Sequence, residues 1–519
     1  MVPAPATGFP LRRHPHLYEI NTWAWLEQLS ARAGRQIGLR NVPDSEWDSF
    51  ARLGFDIVWL MGVWQRSPKS REVALADPRN MLPYKLALPD WSPSGVVGSP
   101  YAVKQYVPDT RIGTWDDMDA AREKMRARGM ALFLDFVGNH TALDHPWTAE
   151  HPEFYVQGSA KDFENDPGGF FRADSNKGVV YLAYGRDPYF PPWMDVAQLN
   201  HFSLEMRAAE IGELRNIARH CDGVRCDMAM LHLRDIFGGI WGRFLGGMKA
   251  PQTEFWADAH CAVPRLVLLA EAYWGTEQRL LDLGFSFVYD KGLYDAVRDA
   301  NAGEVRSRLS ADVKQQSHFA RFLENHDEAR SVDLFGRQRL SSVATLMGTL
   351  PGMRFYYQGE LEGCIPHLPI TLRTQSEKPP DGFYVNIFEK ILTITKHMVF
   401  HEGDWRLLDT SDAGDSSFGN LVVYEWLSAT GSSSTLTHKV IAVNLRDTAS
   451  QAWVHFGASL DGAEEYIFYD QLHDVRYPRK GSELLEHGLF VRLEGFQAHL
   501  FDVTRVSSSD EKKGKSNAS

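Results

Sequence analysis

The run DGVRCDMAM, residues 222–230, holds an arginine and an aspartate two positions apart inside an otherwise apolar segment. In an extended chain alternate side chains share a face, so Arg225 and Asp227 point the same way. Either they form an ion pair that merely holds the fold, or they stand at the end of a strand that feeds an active site. The segments around this run decide between the two.

Seven further runs share its near-continuous apolarity: YEINTW (18–23), FDIVWLMGV (55–63), MALFLDFV (130–137), LVLLAEAY (266–273), FSFVYD (285–290), FARFLENHD (319–327) and MRFYYQG (353–359). Such runs suit strands covered on both faces, as in a parallel sheet wrapped by helices. Two of the intervening helices are legible. Thr114 with Asp117 three residues on has capping-box spacing, Trp115, Met118, Ala121 and Met125 fall on one face, and Gly129 ends the pattern. In SLEMRAAEIGELRNIARHC the expected core stripe is Leu204, Ala208, Ile211, Leu214 and Ala218. Eight strands with helices between them predict an α/β fold, a (β/α)8 TIM barrel.

The third strand is separated from its helix by residues 138–200, rich in Pro, Gly, Asp and aromatics. So long a structureless loop is improbable in a compact domain, so this stretch reads as a small inserted subdomain B on the C-terminal face of the barrel. From about Gly403, short strand-like runs such as NLVVYEW, HKVIAVNLR and AHLFDV alternate with turn-forming residues, which predicts a C-terminal antiparallel β-sandwich. The expected organisation is a barrel over 1–137 and 201–400, the insertion over 138–200, the sandwich over 401–506 and a disordered polar tail over 507–519.

The chain of 519 residues carries 55 Lys and Arg against 67 Asp and Glu, a formal charge of −12, which argues against a nucleic-acid partner. No apolar stretch approaches the ~20 residues of a membrane span, and the start of the chain lacks a continuous apolar segment of the secretory kind, so no membrane partner and a cytoplasmic location are expected. Cys221, Cys226, Cys261 and Cys364 show neither a disulfide framework nor metal-type spacing and read as reduced core residues.

In a barrel the carboxyl ends of the strands face substrate. Four of these ends carry polar clusters: Asp135 with Asn139-His140, Arg225 with Asp227, Glu271, and Asn325-His326-Asp327. Polar residues at the same depth of apolar strands are costly unless paired or used. Three carboxylates at one pocket suit glycoside chemistry, in which one attacks the anomeric carbon and another protonates the leaving oxygen. They also suit a divalent metal, or plain structural pairing. Spacing alone leaves these readings open.

DFVGNH (135–140), GVRCD (223–227), the glutamate of LLAEA at 271 and FLENHD (322–327) resemble, in order along the chain, four signature regions of the α-amylase family, family 13 of the glycoside hydrolases. The resemblance implies Asp227 as nucleophile, Glu271 as general acid/base and Asp327 as the carboxylate that holds the sugar hydroxyls. It implies that Arg225 keeps Asp227 ionised, that His140 and His326 hydrogen-bond the sugar, and that Tyr101, in GSPYAVKQY (98–106), stacks beneath it. Asp135 would support Arg225. Trp193 and Trp274 are candidate sugar platforms, while Met228 and Met230 read as core filler.

The chain departs from amylases proper, which often carry a Lys-His pair three and four residues after the nucleophile; here Met230 and Leu231 stand there. For a structural calcium the resemblance offers Asn139 and, as a second oxygen donor, Asp195, but the histidine position is lost, and the chemistry itself requires no cofactor. The function implied is a retaining α-glycosidase acting on α-glucosidic bonds of oligo- or polysaccharides through a covalent glycosyl-Asp227 intermediate. The alternatives are a transglycosylase using the same site and a catalytically idle sugar-binding relative.

Overall fold

The computed structural model describes residues 9–428 and 437–506; the tail expected at 507–519 lies outside them. Eight parallel strands close a barrel: β1 (His16–Asn21), β2 (Ile57–Met61), β3 (Ala131–Phe136), β4 (Gly223–Cys226), β5 (Val267–Ala270), β6 (Phe287–Tyr289), β7 (Phe319–Arg321) and β8 (Met353–Tyr357). They pair in sequence order, with β8 returning to β1. All eight expected strands are present; seven are shorter than their apolar runs, and β1 is as long as its run but begins two residues earlier. Thr22 and Trp23, read as strand, open a helix because Asn21 caps it by accepting a hydrogen bond from the Ala24 amide.

Alternation sorts the strand residues. Leu17, Ile57, Trp59, Phe133, Leu269, Phe287, Met353 and Phe355 fill the barrel, while Val58, Leu60, Leu132, Leu134 and Val224 pack outward under the helices. In β4 the inward positions are Gly223 and Arg225. A methyl group on Gly223 would stand 2.4 Å from the Phe133 ring, so this glycine makes room for an aromatic of the neighbouring strand. Arg225 pairs in register with Asp135 of β3 and Leu269 of β5.

The helix α1 (Trp115–Arg126) forms as expected, with a reciprocal Thr114–Asp117 capping box and Met118, Ala121 and Met125 buried. The helix α2 (Leu204–Ile217) also forms but is rotated from the expected stripe. Leu204 and Ala208 are exposed, and the buried face carries Met206, Arg207, Glu210, Leu214 and Ile217. The apolar pattern misleads because two charged residues lie underneath. Arg207 reaches Asp258 at 2.6 Å and the Thr253 carbonyl at 3.0 Å, which satisfies its charge there.

The insertion after β3 builds its own sheet, with strands His140–Ala142, Gln157–Gly158, Phe170–Ser175, Gly178–Gly185 and Trp193–Gln198. Beyond the barrel, a six-stranded and a three-stranded antiparallel sheet face each other across Leu421, Val423, Val440, Val454, Val491 and Phe501, which gives the β-sandwich. Three of its strands escaped the sequence reading: Asp404–Leu407, Asp409–Asp412 and Val475–Lys480. The last two expose mostly polar side chains, so no apolar pattern marks them. Trp426 ties the sandwich to the barrel by donating to the Thr349 carbonyl at 2.8 Å. All four cysteines are free, but Cys261 is exposed and Cys364 half-buried, which corrects their reading as core. No described helix is long and apolar enough to cross a membrane.

Candidate active site

Because Arg225 and Asp227 share a face at the end of β4, both reach the barrel mouth. Nη1 of Arg225 donates to Asp227 Oδ1 at 2.6 Å. Its Nη2 stands 2.9 Å from Glu271 Oε2, off the line of an ideal hydrogen bond but well within ion-pair range. One fully buried guanidinium therefore joins the carboxylates that end β4 and β5. The rings of Trp59, Tyr101 and Tyr289 surround it at 5.2–5.6 Å, each placing a π face near the charge. The opening pair is thus an ion pair and also part of a polar cluster.

Glu271 is fixed from two further sides. Tyr273 donates its hydroxyl to Oε1 at 2.7 Å, and the Met228 amide donates to Oε2 at 2.6 Å. That amide is aimed by a left-handed backbone at Met228, φ +43°, an uncommon conformation for a side chain with a Cβ and one that clusters at functional sites. Burial raises the carboxyl pKa of both Asp227 and Glu271; Arg225 opposes the rise, and the neighbouring carboxylates add to it. Two acids on one guanidinium release their last proton late.

Asp327 comes from the turn after β7, where Asn325 Oδ1 accepts the amides of Asp327 and Glu328, both at 2.9 Å. Half of its side chain is open to the cavity. Enclosure by the cavity walls opposes its ionisation. His326, with Nε2 3.0 Å away, outweighs that, and the carboxyl falls to about 2. Burial in turn opposes protonation of His326, but Asp327 and Glu19 prevail and hold its pKa well above the usual histidine range. Tyr101 lies nearly parallel to His326, ring centres 5.1 Å apart, with its hydroxyl 2.7 Å from Nε2. His140 approaches Asp227 Oδ2 at 4.0 Å and is kept neutral by burial, its pKa lowered to about 4.

All seven residues singled out in the sequence gather here. Asp135 is level with Arg225 but does not hydrogen-bond it: its carboxylate accepts from Trp59 Nε1 at 3.0 Å and from the Gly62 amide at 2.6 Å. Its support is charge at a distance. Met230 is buried as expected, whereas Met228, read as filler, lines the cavity beside Glu271. Glu19, Tyr273 and Tyr289 were missed. Glu19 occupies an inward position of β1, two residues after Leu17, and that alternation was the available signal.

The cavity at this end of the barrel has a volume of about 1010 Å³ and is lined by Glu271, Asp327, Trp193, Tyr273, Trp274 and Phe190 among others. Trp193 and Trp274 both reach it, and Trp274 is held at φ +63° with an edge against Tyr189. Two of the oxygens that the resemblance offers to a calcium are engaged within the protein. Asn139 Oδ1 accepts from Gln198 Nε2 at 3.1 Å, and Asp195 Oδ2 accepts from Ser70 at 2.7 Å.

The family model described as the α-amylase catalytic domain matches residues 45–178. The α-amylase MalA of Haloarcula japonica is 27% identical over 257 residues, 48% of this chain and 34% of that protein. The oligo-1,6-glucosidase of Heyndrickxia coagulans is 22% identical over 397 residues, 63% of each chain. The chain thus matches less than two thirds of the length of either relative. Among solved structures, the maltogenic α-amylase AmyB of Thermotoga neapolitana superposes with a TM-score of 0.66 at 16% identity, covering 95% of this chain and 99% of that one, which speaks for the fold. The chain thus matches the α-amylase catalytic-domain model over residues 45–178, and its four motif regions are carried in order to one end of a closed barrel.

Proposed function

We propose that this protein is a retaining enzyme acting on α-glucosidic bonds of oligo- or polysaccharides, with Asp227 as nucleophile and Glu271 as acid/base. The observation that carries the reading is the single Arg225 guanidinium between two carboxylates, with Asp327 facing the same cavity. Arg225 engages Oδ1 of Asp227 and so leaves Oδ2 for the anomeric carbon. As that bond forms, the glycosidic bond breaks and Glu271 gives its proton to the departing oxygen. Water then returns a proton to Glu271 while its oxygen takes the anomeric carbon, which frees Asp227. Asp327, ionised through the working range, accepts from sugar hydroxyls and opposes the developing positive charge.

Transfer differs only in the second half, where a sugar hydroxyl replaces water. The aromatic lip of Phe190, Trp193 and Trp274 favours an acceptor sugar over bulk water, so transfer is retained as the second reading. Four free cysteines suit a reducing, cytoplasmic compartment. The proposed chemistry uses no metal at the reacting centre. Incubation with maltooligosaccharides tests all of this. Shorter products alone mean hydrolysis, longer ones mean transfer, and binding without turnover means an idle relative. Asp227→Asn with undiminished turnover overturns the nucleophile assignment.

A further inference from the structure

At the opposite end of the barrel lies a second cleft of about 560 Å³, formed where the chain enters β4 and β5. Five arginines line it: Arg122 and Arg126 from the last turns of α1, Arg215 and Arg219 from the end of α2 and just beyond, and Arg265 from the turn before β5. Their one carboxylate partner in the lining, Asp222, is buried and saturated. It accepts from Arg122 Nη2 at 2.7 Å, from Arg126 Nη2 at 2.5 Å and from the Leu132 amide at 3.0 Å. Arg122 also donates to the carbonyls of Arg219 and Cys221, which locks it in place. Arg126 Nε is buried without a partner, and Arg215, Arg219 and Arg265 are exposed.

A chain with a formal charge of −12 thus gathers a local excess of four positive charges in one concavity. Basic residues in a last helical turn complement the helix dipole, which accounts for one guanidinium at the end of α1 and one at the end of α2. It does not account for Arg219 and Arg265, nor for the convergence of all five. Like charges this close repel, and a multivalent anion among them removes the repulsion while receiving forked, charge-assisted hydrogen bonds. The cleft is a half-enclosed concavity of small-ligand size, which separates it from the long basic stripe that a nucleic-acid backbone follows.

We propose that this arginine cleft binds a small molecule carrying a phosphate dianion or a diphosphate, on the face opposite the sugar site. Two guanidinium groups are set in advance by Asp222, so the ligand meets a partly organised cradle, and the exposed arginines close on it.

Calorimetry and thermal unfolding of the full chain with inorganic pyrophosphate, at ionic strength matched with NaCl, test this. The expected result is saturable binding with a rise in Tm. The Arg219→Ala/Arg265→Ala double variant, altered only at exposed positions, weakens it at least about tenfold. ADP and glucose 6-phosphate in parallel distinguish a nucleotide from a sugar phosphate as the source of the anion. Equal affinity in the double variant, or no response beyond the NaCl control, overturns the proposal. So does tighter binding of an RNA homopolymer than of pyrophosphate, which makes the cleft part of an extended polyanion surface.

Discussion

Nδ1 of His326 lies 2.5 Å from Oε1 of Glu19, and neither side chain has any exposed surface. The two are 307 residues apart, on β1 and just past β7, and Asp327 stands at the other ring nitrogen. With both nitrogens protonated, the ring is a buried cation between two carboxylates, which orients Asp327 toward the cavity. Glu19 thus acts on the site through His326.

Replacing Glu19 by Gln leaves that cation with one counter-charge. Breaking a buried pair in this way costs about 3 kcal/mol. The His326 pKa is raised in the folded state, so the stabilisation is complete below the unfolded value of about 6.5 and fades as pH climbs through the higher folded value. Urea unfolding of Glu19→Gln against the parent should therefore show the largest gap near pH 6 and a smaller one at strongly alkaline pH.

With Glu271 as the acid/base proposed above, the alkaline limb of activity belongs to this residue. Burial raises its pKa first, and Asp227 and Asp327 add to the rise against Arg225, so the proton that the leaving oxygen needs is kept to higher pH than an ordinary glutamate would keep it. Tyr273→Phe removes a hydroxyl that favours the ionised form. Its pH profile for kcat/KM should move that limb upward by about half a unit, with a loss in kcat below about tenfold. An unmoved limb assigns it to another group.

Glu210, on the buried face of α2, has no hydrogen-bond partner for either carboxylate oxygen. Burial, with Glu213 nearby, drives its pKa well above the ordinary value. The folded state therefore holds a proton that the unfolded chain releases above about pH 4.3, and stability declines from there as pH rises toward the folded pKa. Glu210→Met removes an unsatisfied polar group and keeps a good helix former. It should gain about 1–3 kcal/mol at pH 8 and less near pH 4, read from denaturant midpoints.

Gly223 opens β4 against the Phe133 ring. Gly223→Ala should cost about 1–3 kcal/mol by overpacking, and pairing it with Phe133→Leu should recover part of the loss. Full additivity of the two changes in chemical denaturation means that the contact does not govern the position.

The architecture was legible because each barrel strand is covered on both sides, and apolar runs of the right length then betray it regardless of partner. The catalytic-end carboxylates were legible for the complementary reason: Asp227, Glu271 and Asp327 interrupt those runs where an unpaired charge is expensive. Strand Val475–Lys480, with polar side chains mostly in solvent, left no such mark. The rotation of α2 was hidden because the Arg207 partners Asp258 and Thr253 come from beyond β4, and pattern alone cannot tell a paired charge from a solvated one.

By itself the sequence determined the barrel, its insertion, its sandwich and which strand ends carry acids, since these follow from local periodicity and residue type. Tertiary structure decided that Arg225 serves two carboxylates, that Glu19 joins Asp327 in holding His326 charged, and that five arginines from separate turns share one cleft. Each of those requires at least one side chain from a distant part of the chain. Barrel closure, which no linear pattern encodes, brings them within ångströms of one another.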